Sequence, residues 1–200
     1  MKRLIAMLFL FFGTALQVGA MQSPQALVQE TSEKMLAQIK AEQQLLAEEP
    51  ERLYELVNEI VLPHFDFEYM SQLVLGKYWR RASADQRRAF TGEFRTLLVR
   101  TYAKSLSAYT DQTITFLPFR ELKGDDVTVR TEVEQPGSFP IPIDYRLHQR
   151  AGAWKVFDII IDDVSLVTNY RSSFTREIRK GGIEGLIGTL EQRNRDASGG

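Results

Sequence analysis

The sequence predicts an α+β domain in which one four-stranded, twisted antiparallel sheet packs against several helices. Three observations predict it. Apolar residues recur at helical spacing over residues 23–109, at a period of two over residues 114–161, and at helical spacing again from about Tyr170. The strands follow one another through short turns, which makes a meander rather than βαβ units, whose crossovers need a dozen or more residues. The chain pivots on residues 154–190, where an apolar strand runs straight into covering helices. Such a junction is half of a cleft.

Residues 1–20 read as a signal peptide. Lys2 and Arg3 form a positive start, residues 4–16 an apolar core, and Val18 and Ala20 the small residues before a cleavage site at Met21. The run is short for a membrane span. There is no cysteine, hence no site for lipid attachment and no disulfide. Residues 21–193 then form a single domain, and residues 194–200 (NRDASGG) a flexible tail. The whole chain has 25 Lys+Arg against 26 Asp+Glu; without Lys2 and Arg3 the balance is 23 against 26, a net charge of −3. That excludes nucleic acid, whose binders carry a basic excess, and a polybasic membrane anchor.

Ser23-Pro24 opens a long helix with an N-cap and a proline at its first position, and Leu27, Val28, Met35, Leu36, Ile39 and Leu46 mark its apolar side. Pro50 interrupts it. Leu53, Leu56, Val57, Ile60 and Val61 continue as a second helix up to Pro63. Asp66 caps a short third helix carrying Phe67, Met70, Leu73 and Val74, with Gly76 as its stop. Ser83 and Gln86 form a capping box. The helix that follows has the bulkiest apolar stripe in the chain: Phe90, Phe94, Leu97, Leu98, Tyr102, Leu106 and Tyr109.

The first strand holds Ile114 and Phe116, with Phe119 near its end. After the turn at residues 123–126, Val129, Thr131 and Val133 alternate with Arg130, Glu132 and Glu134. A second turn at residues 135–138 leads to Ile141, Ile143, Tyr145 and Leu147, alternating with Asp144, Arg146 and His148. Arg150-Ala151-Gly152 turns into the fourth strand, with Val156, Phe157, Ile159, Ile160 and Ile161. Asp162-Asp163 ends it. In the last helical region Phe174 and Ile178, then Ile183, Leu186, Ile187 and Leu190, flank a break at Gly181-Gly182.

No catalytic constellation emerges. His64 follows a helix-ending proline and His148 lies on a charged strand face, neither with a partner at suggestive spacing. The acidic pairs Asp125-Asp126 and Asp162-Asp163 lack the spacing of a calcium loop, and Gly181-Gly182 lacks the rest of a phosphate loop. What the chain has is large apolar side chains, Trp79, Trp154 and Tyr170 among them.

Three stretches resemble the MlaC/toluene-tolerance family of periplasmic phospholipid-binding proteins, the soluble auxiliary component of a lipid ABC transport system. Residues 65–109, FDFEYMSQLVLGKYWRRASADQRRAFTGEFRTLLVRTYAKSLSAY, match its F-D-x-x-x-M-S, V-L-G-x-x-W, A-S-x-x-Q-R-x-x-F and L-L-V-x-T-Y-A elements. Residues 154–174, WKVFDIIIDDVSLVTNYRSSF, and residues 180–190, KGGIEGLIGTL, match its closing strand and helices; Asp162-Asp163 is more acidic than the family pattern there. The resemblance spans residues 24–193. It implies a non-enzymatic, monomeric shuttle in the periplasm. The shuttle would use no cofactor, with phospholipid as its cargo. It would move between an outer-membrane lipoprotein–porin complex and an inner-membrane ABC transporter with an MCE-domain subunit, maintaining outer-membrane lipid asymmetry.

On this reading the sheet and helices enclose a hydrophobic cavity. The expected tail contacts are Phe94, Leu97, Leu98 and Tyr102 on one helix face. On the strands they are Val129, Thr131, Val133, Tyr145, Leu147, Phe157, Ile159 and Ile161, with Val164, Leu166 and Tyr170 closing one end. Core packing is the open alternative for each. A one-residue shift of register inverts a strand's set, and the fourth strand is apolar on both faces. Two other readings stand beside the carrier. One is an interaction module without a cavity. The other is an enzyme acting on a hydrophobic molecule, with Asp158 as its acidic group.

Overall fold

The structure, a computed structural model, describes residues 22–107, 112–118, 120–121, 126–134, 137 and 139–197. The expected signal peptide, Met21, Tyr109, Phe119, most of the two turns at residues 123–126 and 135–138, and residues 198–200 lie outside them.

Helix α1 (Pro24–Ala41) starts as the sequence predicts, with the Ala26 amide donating to Ser23 Oγ at 3.1 Å. It ends earlier than its apolar spacing implies. Glu42 leaves helical geometry (φ −104°, ψ 19°), and its carboxylate accepts from Arg52 Nε at 2.8 Å. The short α2 (Gln43–Glu48) and α3 (Glu51–Leu56) follow. Then α3 widens into a π-helical turn (Val57–Val61) and tightens into a 3-10 turn (Leu62–His64) at Pro63.

Asp66 caps α4 (Phe67–Leu75) through the Tyr69 amide at 3.0 Å. Gly76 ends it at φ 54°, where an added Cβ would also come within 3.1 Å of the Arg171 guanidinium. A 3-10 turn (Gly76–Arg81) leads to α5 (Ala84–Ser107). Both halves of its capping box form: Gln86 N–H donates to Ser83 Oγ at 3.1 Å, and Ser83 N–H to Gln86 Oε1 at 3.0 Å.

The four expected strands are present as β1 (Thr113–Phe116), β3 (Val127–Glu134), β4 (Ile141–Arg150) and β5 (Ala153–Ile161). Two strands of two residues join them, β2 (Arg120–Glu121) and β6 (Val164–Ser165), in the order β1-β3-β4-β5-β6 with β2 also on β3. Every pairing between these strands is antiparallel, and an isolated parallel bridge joins Phe65 to Val156 of β5. β6 exists because Asp162 and Asp163 do more than end a strand. Both have positive φ (48° and 62°), the geometry of a two-residue hairpin turn, which Asp tolerates better than most residues.

Helix α6 (Leu166–Asp196) begins four residues before the expected Tyr170. Ser165 caps it, its Oγ accepting from the Thr168 amide at 3.1 Å. Gly182 (φ 70°, ψ −174°) kinks it at the expected break. It also runs past Arg193 into the expected tail. Asn194 is buried, and its Nδ2 donates to the Glu93 carbonyl at 3.0 Å and Oε2 at 2.7 Å, tying residues 194–196 to α5.

Three apolar clusters result. The largest joins α4, α5 and α6 with Phe157 of β5. A second lies among α1, α3, the π-turn and the C-terminal half of α5. The third puts Leu27 and Val28 of α1 on Val127, Val129, Leu147 and Val156 of the sheet.

The positive φ at Asp163 makes a directional prediction. Asp163→Val should lower stability by about 1–2 kcal/mol, because a β-branched side chain resists left-handed backbone, whereas Asp163→Gly should be near neutral. Urea unfolding of the two variants checks it; equal midpoints would show that the turn is not held in this geometry.

Candidate ligand-binding face

Residues paired across neighbouring strands point to one face of a sheet. The pairings therefore write out one apolar face row by row. Val127, Leu147 and Val156 form the first row; Val129, Tyr145 and Ile159 the second; Phe116, Thr131, Ile143, Ile161 and Val164 the third; Ile114, Val133 and Ile141 the fourth. Burial falls along the rows. The first is buried beneath Leu27 and Val28 of α1. In the second Val129 is buried while Tyr145 and Ile159 are half-buried. In the last two, Thr131 is buried, its hydroxyl donating to the Ile143 carbonyl at 2.7 Å. The aliphatic and aromatic side chains beside it are half-buried, and Val164 is 53% exposed. The sheet thus offers a trough covered by α1 at one end and progressively open at the other.

The opposite face carries Arg130, Asp144, Arg146 and His148, and helices cover part of it. Tyr69 of α4 stacks on His148 at 4.7 Å. The join is polar as well as aromatic. Buried Asp66 accepts from Arg150 Nη1 at 2.5 Å and lies 3.0 Å from His148 Nε2, while the Asp66 N–H donates to the Val156 carbonyl at 2.9 Å. Burial works to raise the Asp66 pKa. The hydrogen bonds from Arg150, the Tyr69 amide and His148 outweigh it and hold the carboxyl below its ordinary value.

Fourteen of the fifteen expected contact residues fall into two groups. Val129, Thr131, Val133, Tyr145, Leu147, Ile159, Ile161 and Val164 share the trough. Phe94, Leu97, Leu98, Tyr102, Phe157 and Tyr170 belong to the helical cluster instead. Leu166 is buried at the first turn of α6. Phe94 packs on Phe90 at 5.7 Å, Phe174 at 5.9 Å and Tyr170 at 5.3 Å, so the α5 stripe is met by α6 rather than by strands. Burial, then the nearness and hydrogen bond of Tyr170, push the Tyr102 hydroxyl up to about 12.

Phe157 departs from strict alternation with Ile159 and Ile161. The register passes from Leu147↔Val156 to Arg146↔Asp158, leaving Phe157 as the extra residue of a β-bulge. Its ring meets Tyr69 at 5.4 Å and His148 at 5.3 Å, on the helical side. Ile114, Phe116, Val127, Ile141, Ile143, Val156, Leu27 and Val28 complete the trough beyond the expected set. The strand residues other than Val156, which the bulge offsets, stand in the same alternation as Val133 and Tyr145, which was the available signal.

Asp158 is buried and fully committed. Oδ2 accepts from Ser165 Oγ at 2.6 Å, Oδ1 from the Val167 amide at 3.1 Å, and Arg146 Nη1 lies 3.8 Å away. It anchors the start of α6 to β5, a positioning task. A cleft of about 140 Å³ between α3, the π-turn and α5 is lined by polar side chains and Val99 and includes no strand residue.

Fold and face together define a class: an α+β domain of helices on one open antiparallel sheet, with an apolar trough suited to a hydrophobic ligand. The MlaC protein family matches residues 29–192, and the chain belongs to that family. A Haemophilus influenzae relative, described as the intermembrane phospholipid transport system binding protein MlaC, is 32% identical over 85% of this chain and 81% of its own. Toluene tolerance protein ttg2D of Pseudomonas putida is 27% identical over 89% and 86%. A solved phospholipid-binding protein from Ralstonia solanacearum, in complex with a phospholipid, superposes with a TM-score of 0.82 at 32% identity, covering 88% of this chain and 99% of that one.

Two predictions test this partition. Phe94→Ala should cost about 3–5 kcal/mol of unfolding free energy, as for a packed core aromatic; a loss below about 1 kcal/mol would place Phe94 on an open cavity. Asp66 concerns acid stability. Its folded pKa is depressed, so its contribution is present above the unfolded value of about 3.9 and is lost as the pH falls through the folded one. Asp66→Asn, which keeps the cap, should therefore be less stable than wild type at neutral pH, with the gap narrowing below about pH 4 in thermal melts. A gap independent of pH would refute the linkage.

Proposed function

We propose that this chain is a periplasmic phospholipid-binding shuttle and that its acyl tails lie along the trough. The carrying observation is the graded apolar face, buried under α1 at one end and open at Val164. A full core would bury both ends. A surface for a folded partner alone would not need rows of Ile and Val continuing beneath a helix.

The scale of the task supports an apolar slot. Two tails of about 15 methylenes, at about 0.8 kcal/mol each, represent roughly 24 kcal/mol of unfavourable hydration in water. A carrier must offset most of that and still release its cargo. Matching a mobile tail needs apolar area without directional bonds, and Val, Ile, Phe and Tyr side chains supply it. The MlaC-named and phospholipid-bound relatives point to the same ligand class. The donor and acceptor would be the outer-membrane lipoprotein–porin complex and the inner-membrane ABC transporter with its MCE-domain subunit. The protein would work between them as a monomer and, as a carrier, would perform no turnover. Bound phospholipid is its cargo; the reading calls for no cofactor. Asp158 fits this better than a catalytic role, since both of its oxygens already hold α6.

Native mass spectrometry of the mature protein, purified from the periplasm without detergent, should show added masses that resolve into phospholipids. Ile143→Asp and Ile159→Asp should each lower that occupancy at least several-fold, because a carboxylate beside hydrocarbon is poorly solvated. Wild-type occupancy in both variants would remove the tails from the trough. A wild-type protein that stays lipid-free after incubation with liposomes would remove the carrier reading itself.

A further inference from the structure

Phe139 and Val164 are two of the three exposed large hydrophobic residues among those described, at 92% and 53% exposure, and both lie at the same end of the sheet. Val164 closes the trough's third row beside Ile161. Phe139 lies two residues before Ile141, which pairs with Val133 in the fourth row. The Asp162 N–H donates to the Pro142 carbonyl at 3.0 Å, holding the β5–β6 turn against the start of β4. The two exposed residues therefore flank the open end of the trough and are not a scatter of surface residues.

The edge of this end is acidic. Asp162 and Asp163 are exposed in the turn next to Val164. Asp144 lies close by: burial and then the charge of Asp163 raise its pKa, against the pull of Arg130. The cations along these strands are already engaged, Arg130 with Asp144 at 3.7 Å and Arg146 with Asp158 at 3.8 Å.

Resting on the lipid-carrier reading, we propose that this open end is a docking lip and that it fits a partner protein whose own opening is apolar and edged with Lys or Arg. An apolar centre inside a charged rim is the ordinary anatomy of a transient protein interface. Carboxylates at the rim steer a basic partner into register and are repelled by an anionic bilayer surface, which attracts basic segments. Placing the interface at the mouth of the trough also gives a tail a continuous apolar path between the two proteins.

The test compares wild type, Phe139→Ala and the double variant Asp162→Asn/Asp163→Asn, in which Asn retains tolerance for positive φ. Each is loaded with fluorescent phosphatidylethanolamine, its load is measured by native mass spectrometry, and its delivery is timed. The acceptors are native envelope vesicles and protein-free liposomes made from the lipids of those vesicles. The expected result is wild-type load and about tenfold or greater slowing on native vesicles alone. Added salt should slow the wild type but not the double variant. Equal slowing on protein-free liposomes would replace the partner protein with a bare bilayer and overturn the proposal. Undiminished delivery to native vesicles would overturn the lip. Loss of load in the variants alone would make these residues part of the tail site and also overturn it. A wild type that takes up no lipid would count against the carrier reading instead.

Discussion

One extra residue in β5 organises the molecule. Opposite Arg146 and Leu147, β5 runs Val156, Phe157, Asp158, so Phe157 and Asp158 both turn toward the helices while Val156 and Ile159 face the trough. Without the bulge, strict alternation from Val156 would send Ile159 and Ile161 to the opposite face. With it, Phe157 enters the aromatic cluster of α4, α5 and α6, and Asp158 reaches the Ser165 hydroxyl and Val167 amide that start α6. Ile159 and Ile161 return to the apolar rows. A bulge of this kind re-aims side chains at the cost of a local break in the ladder. Here it lets a single strand serve a packed core and an open apolar face at once.

Much of the architecture was legible because it rests on local chemistry. Ser23, Asp66, Ser83 with Gln86, and Gly182 act at the positions where capping and breaking rules put them. The cores of β3 and β4 follow a period of two. What was not legible depended on contacts distant in sequence. The α5 stripe shows that Phe90, Phe94 and Leu98 are covered, but periodicity cannot say by what. The cover is Phe174 and Tyr170 of α6, more than seventy positions away. The bulge at Phe157 is equally hidden, since an apolar run offers no alternation against which a skipped residue could be noticed. Asp162-Asp163 read as a strand end because Asp is depleted in strands. The structure uses its tolerance of left-handed backbone to make one more hairpin, which starts α6 four residues early.

On the proposed function, the separation of core from trough bears on how a carrier stays folded through its cycle. A protein that stored its stability in the residues that grip cargo would lose packing each time the cargo left. In this chain the aromatic cluster and the Asp66–His148–Arg150 network lie on the helical side of the sheet. They hold β4 and β5 to α4 and α6 whether or not the other side is filled. In its own cluster the trough is met by Leu27 and Val28 of α1 and by Phe65, so the side chains of its open rows can exchange protein, water and hydrocarbon contacts without disturbing the larger core. The packed core and the open apolar trough thus lie on opposite faces of one sheet, and the bulge at Phe157 is what allows the same strands to build both.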